Sequence, residues 1–146
     1  MGKRRRRTGG RDRQRRAWIV PGVLAQDPGG REAWLDVHGY ATDTALWLAR
    51  EVIETAWARG CRSIVVVHGA KHIETPAASE RTGRGHTKWA LRSALKAGEY
   101  GGYAWPAGSG EGASRVHGDR MELALRPNPS PDRDAAWPVP PPRDYE

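Results

Sequence analysis

The chain has 146 residues, of which 38% are hydrophobic and 28% charged, and a net charge of +7. That is room for one domain with a small core and not for two. No stretch approaches the roughly 18 apolar residues of a membrane span, and the charged start has no apolar signal-type run before Ala17. A lone cysteine, Cys61, excludes an internal disulfide, so the expectation is a cytoplasmic protein with no membrane partner.

The charge is concentrated at the start. Residues 1–16 hold Lys3, Arg4, Arg5, Arg6, Arg7, Arg11, Arg13, Arg15 and Arg16 against one acid, Asp12, a net of +8. The rest of the chain carries 15 basic and 16 acidic residues. A like-charged segment containing glycine cannot bury apolar area and is expected to be disordered. Nine cations on a flexible arm suit a phosphate backbone, because each contact releases condensed counterions. The expected partner is therefore nucleic acid or the ribosome; the competing reading is a solubility tail that takes any polyanion.

Ala17 to Val20 reads as a short extended piece ended by Pro21-Gly22. The first clear strand is Ala33 to Val37, with Leu35 and Val37 on one face and Trp34, Asp36 and His38 on the other. A helix is expected from Asp43 to Arg59, with Thr42 as N-cap and Asp43 at the positive end of the helix dipole. Ala45, Ala49, Val52 and Ala56 form its apolar stripe, and Gly60 is placed to end it. Ser63 to Val67 is a continuous Ile/Val run that reads as a buried parallel strand. Strand, helix and strand make a βαβ unit with a right-handed crossover.

Residues 69–86 read as polar and irregular, Thr87 to Ala97 as a second helix, and Tyr100 to Trp105 and Arg120 to Leu125 as later strands. Residues 127–146 hold seven of the eleven prolines, so this end is expected to be extended, outside any sheet and disordered. The organisation expected is a basic tail at 1–16, one domain at 17–126 with its core in 31–126, and a Pro-rich tail at 127–146. The order β-α-β-α-β-β predicts an α/β two-layer sandwich with both helices on one face of the sheet.

Parallel neighbours end on the same edge of a sheet, where open α/β sheets bind ligands. The first strand ends in Asp36-Val37-His38-Gly39 and the second in His68-Gly69, so two His-Gly pairs are expected to meet there. Asp36 and His38 share a face, and a carboxylate beside an imidazole is a usable acid–base pair near neutral pH. Gly83-Arg84-Gly85 and Lys88 enter the second helix, and glycine-rich backbone at a helix N-terminus is an anion site.

Leu35-Asp36-Val37-His38-Gly39 resembles the Leu-Asp-x-His-Gly motif of the small MutS-related (Smr) domain. His68-Gly69 is similar to the start of that family's His-Gly-x-Gly motif, Leu91-Arg92 to its Leu-Arg pair, and Gly110-Glu111-Gly112-Ala113 to its glycine-rich end. The resemblance spans about 95 residues. It implies a fold akin to the C-terminal domain of bacterial translation initiation factor three, and a nucleic-acid binder that is often an endonuclease on DNA or RNA. It carries residue by residue to Asp36, His38 and Gly39, and to His68 and Gly69. Asp36 and His38 are the catalytic candidates, and Gly39, His68, Gly69, Gly83, Arg84, Gly85, Lys88 and Arg92 are the residues expected to bind phosphate. The chain departs from the pattern after Gly69: residues 70–82 read as an insertion before Gly83. Two functions stay open, an endonuclease and a non-catalytic binding module of the same fold. No cofactor is specified, and a divalent metal such as Mg is left open.

Plainer readings stand beside these. Asp36 alone reads as an edge carboxylate, and His38 and His68 alone as polar residues satisfied by backbone; only their convergence at one edge argues for a site. His72, His86 and His117 read as loop histidines, with no zinc-type spacing to Cys61. Most of the seven tryptophans read as packing, with Trp34, on the Asp36 face, the candidate for base stacking.

Overall fold

The computed structural model describes residues 24–26, 29–108 and 110–142. The basic segment 1–16 and the extended piece expected at Ala17–Val20 lie outside the described residues.

Among the described residues eight elements follow one another. They are β1 (Leu24–Gln26), β2 (Glu32–Asp36), α1 (Thr42–Ala58), β3 (Ser63–Val67), α2 (Pro76–Thr82), α3 (His86–Lys96), β4 (Arg115–Val116) and β5 (Arg120–Ala124). The sheet runs β1-β2-β3-β5-β4. Only β2 and β3 pair in parallel, with Glu32 opposite Ser63 and Asp36 opposite Val67; β5 returns antiparallel to β3.

The alternation of β2 is expressed as expected, with Ala33, Leu35 and Val37 buried. With Ile64 and Val66 of β3 and Met121 and Leu123 of β5 they form the floor of the core. Ala45, Leu48, Ala49, Val52, Ile53 and Ala56 of α1 and Leu91, Ala94 and Leu95 of α3 cover it. The result is a mixed α/β fold in two layers. Burying one medium aliphatic side chain here contributes about 1.5–3 kcal/mol.

Four expectations are corrected. Thr42 is the first residue of α1 and not its cap; its hydroxyl meets that of Thr87 at 3.1 Å and ties the starts of α1 and α3 together. The polar segment 69–86 contains a helix, α2, with Thr75 as N-cap accepting from the Ala78 amide at 3.0 Å and proline in the first turn. Residues 100–105 are turns, not a strand: the amides of Tyr103 and Ala104 both donate to the Tyr100 carbonyl, and only Ala104 bridges to Leu125.

The fourth correction concerns the proline-rich end. Residues 127–142 join no strand, but they strap across the end of α1. Asn128 donates its side-chain amide to the carbonyls of Trp57 and Ala58 at 3.0 and 3.2 Å, and the Asp132 amide donates to Ala58 at 2.8 Å. Trp137 packs against the core. Proline supplies no amide for a ladder, but a helix end carries orphan carbonyls that need donors, and the non-proline residues of the strap supply them through the Asn128 side chain and the Asp132 amide. Gly60, at φ +83, makes this approach possible, since a Cβ there would lie 2.8 Å from Pro131.

Candidate functional site at the sheet edge

The parallel register brings the ends of β2 and β3 level, and the Val37 amide continues the ladder to Val67 at 2.8 Å. Beyond it the two His-Gly pairs meet, as the topology requires. Gly69 has φ +74, and a Cβ there would lie 3.8 Å from the Cβ of His38. The amides of His68 and Gly69 both donate to the Asp119 carbonyl, at 2.9 and 3.0 Å, so the turn leading into β5 fixes this loop from the other side.

One carboxylate oxygen organises the edge. Asp36 Oδ1 accepts the His38 amide at 2.9 Å and lies 2.5 Å from His38 Nδ1. A carboxylate there selects the tautomer with hydrogen on Nδ1 and the lone pair on Nε2. The Asp36 side chain is 11% exposed and that of His38 46%, so the acid is held and screened while the imidazole reaches solvent. That is the geometry in which a carboxylate orients an imidazole.

His68 plays a different part. It is 5% exposed, its Nδ1 lies 2.8 Å from the Gly69 carbonyl, and its Nε2 is buried without a hydrogen-bond partner. Burial, with the Arg92 and Lys88 charges adding to it, lowers its pKa to about 4, against the raising effect of the Gly69 bond. It is therefore neutral at physiological pH and shapes the loop.

The cations expected at the phosphate are distributed differently. Lys88, on α3, is 2% exposed, and its Nζ donates to the Ala70 carbonyl at 3.1 Å. Burial lowers its pKa, with Arg92 assisting. Arg92 donates to the His117 carbonyl and lies 5.1 Å over the Trp89 ring; its Nε is buried and unpartnered. Gly83, at φ +67, ends α2, and the Arg84 carbonyl accepts from the Ser79 hydroxyl at 2.6 Å. Both are exposed in the turn between α2 and α3. Gly85 caps α3 with φ +76 and packs on Ile73, not on the histidines. The edge thus unites Asp36, His38, Gly39, His68 and Gly69, with Lys88 behind it, while Gly83 and Arg84 belong to the neighbouring turn.

Two features of the site are not local in sequence. Asp119 supplies the carbonyl that closes the loop, and Arg120 lies 5.5 Å over the ring of Trp34 on the sheet face that the helices leave open. Arg120 stands two places across the sheet from Asp36, through Val67. No helix among the described residues is long and apolar enough to cross a membrane. Comparison of the chain with protein-family models, with curated proteins and with solved structures finds no match.

Proposed function

We propose that this domain is a nucleic-acid-binding endonuclease of the Smr type, acting at the edge formed by Asp36, His38 and Gly69. The observation that carries the reading is the Asp36–His38 pair, 2.5 Å long, with its imidazole open to solvent beside a second His-Gly turn. In this mechanism His38 Nε2 takes the proton of the attacking hydroxyl, a ribose 2′-OH in RNA or a water in DNA. The new oxygen–phosphorus bond forms as the leaving oxygen departs, and the imidazolium returns its proton to that oxygen. Asp36 stabilises the imidazolium in the interval.

A non-catalytic nucleic-acid- or ribosome-binding module is the second reading, and one observation favours it. Lys88, the cation expected to meet phosphate, donates to a backbone carbonyl in the interior instead. Affinity then rests on the tail, with nine cations in residues 1–16.

The two readings separate in one assay. The full chain is incubated with supercoiled plasmid and with single-stranded RNA, with magnesium and with a chelator. Nicked circles or RNA fragments that disappear in His38→Ala support the endonuclease. Retarded but intact nucleic acid under every condition supports the binding module.

A further inference from the structure

At the other end of the parallel strands lies a cavity of about 340 Å³ lined by Arg31, Arg59, Arg62 and Arg133, with glycines between them. We infer that this cavity is a phosphate-binding site, distinct from the Asp36–His38 edge. At about 3.3 Å per residue, the length of β2 separates the two by roughly 16 Å.

The convergence comes from the fold. Arg31 and Arg62 each stand one residue before a strand, and the parallel register sets Glu32 beside Ser63, so the two arginines enter the sheet side by side. The Arg31 carbonyl accepts the Arg62 amide at 2.7 Å and holds both starts together. Arg59 arrives from the end of α1, and Arg133 from the C-terminal strap. Four chain segments thus contribute one arginine each to the lining.

Arg59 is held in place before any ligand arrives. It donates to the Ala135 carbonyl at 2.6 Å and lies 5.1 Å over the Trp137 ring, while its Nε is buried without a partner. The planar guanidinium fork matches a phosphate in two-point fashion and is weakly hydrated, which makes arginine the residue for this task. The cavity volume falls at the small end of the roughly 300–1,000 Å³ of ligand sites. The shared ligand chemistry is the phosphate group, supplied either as a free small anion or by a nucleic-acid backbone.

The test follows the backbone amides of Gly30, Gly60 and Arg62 by NMR in the full chain at low salt. These report on the cavity alone, so binding by the basic tail does not mimic them. Titration with inorganic pyrophosphate is expected to shift all three saturably. Arg31→Gln/Arg62→Gln is expected to weaken that response at least tenfold, and His38→Ala to leave it unchanged. If the three amides do not move, or if the double variant titrates like the wild type, the inference is overturned. Should the double variant not fold, Arg133→Gln, a change on the exposed strap, takes its place; at least threefold weakening is expected, and an unchanged titration again overturns the inference. An eight-nucleotide DNA strand without terminal phosphate separates the sources. Shifts of the same amides by that strand point to the backbone, and shifts by pyrophosphate alone point to a free anion; either supports the site.

Discussion

The hydroxyl of Tyr40 donates to the carbonyl of Pro141 at 2.6 Å, across 101 positions of the chain. Tyr40 is the buried residue that follows His38-Gly39, so the C-terminal strap reaches from the end of α1 to the loop bearing the catalytic candidate. A chain ended at Arg126 loses this bond, the two Asn128 bonds to α1 and the packing of Trp137. With about 0.5–1.5 kcal/mol for each of the three hydrogen bonds and at most about 1.5–3 for the partly buried Trp137, the expected loss is about 3–6 kcal/mol. Urea unfolding of the chain ended at Arg126 measures it. A midpoint equal to that of the full chain would show the strap to be an ornament.

Ala70 offers a contrary case, in which a change should stabilise. Among the described residues it is the non-glycine residue with positive φ, at +59, a conformation that costs an L-residue about 1–2 kcal/mol. Its carbonyl accepts both the Ile73 amide at 3.0 Å and Lys88 Nζ, and these bonds hold it there. Ala70→Gly keeps the carbonyl and removes the clash, at the cost of extra freedom in the unfolded chain. The expected gain is about 0.5–1 kcal/mol in urea unfolding. A loss of stability would mean that Ala70 carries no strain.

Much of the core follows from local pattern. The run Ser63–Val67 is a strand with the bounds read from its β-branched residues, and the small-residue stripe of α1 lies buried where its spacing puts it. The meeting of the two His-Gly pairs follows from parallel pairing alone. What escaped the reading depends on distant partners. The strap has no period, because its bonds run from proline-rich chain to a helix end some 70 positions away. Lys88 counts as a polar residue on any helical wheel, yet its burial is set by the Ala70 carbonyl. α2 did carry a signal: Thr75-Pro76 is a cap followed by proline at the first helical position.

His68 should make the fold acid-sensitive. Its folded pKa is about 4 and its ordinary value 6.5, so the unfolded chain binds the proton more tightly. The contribution is fully present above pH 6.5 and is lost as pH falls towards 4. At about 1.4 kcal/mol per pH unit, going from pH 6.5 to 5 should remove about 2 kcal/mol, or roughly 10 °C of Tm for a domain of this size. His68→Asn retains a donor for the Gly69 carbonyl and cannot titrate. Its Tm is expected to be lower at pH 7 and to change much less between pH 7 and 5. Equal acid losses in the two proteins would place the titrating group elsewhere.

The Asp36–His38 pair carries the most exposed claim. If His38 Nε2 is the base and Asp36 sets its tautomer, His38→Ala and Asp36→Ala should each slow phosphodiester cleavage by about 100-fold or more. The double variant should be little worse than either single one, because a base without its orienting partner and no base at all fail at the same step. Nucleic-acid affinity should change little, since each substitution removes at most one contact and leaves the tail intact. Asp36→Asn is the finer probe. It keeps an oxygen that can accept from the His38 amide and Nδ1–H, but withdraws the charge that stabilises the imidazolium, so its rate should fall while the fold and Tm stay close to wild type. His72→Ala serves as the control, because His72 is exposed on the loop that follows Ala70. Cleavage that survives Asp36→Ala at the wild-type rate would make the carboxylate a plain anchor for the His38 amide. Cleavage that survives both alanine variants would move the chemistry away from this edge altogether.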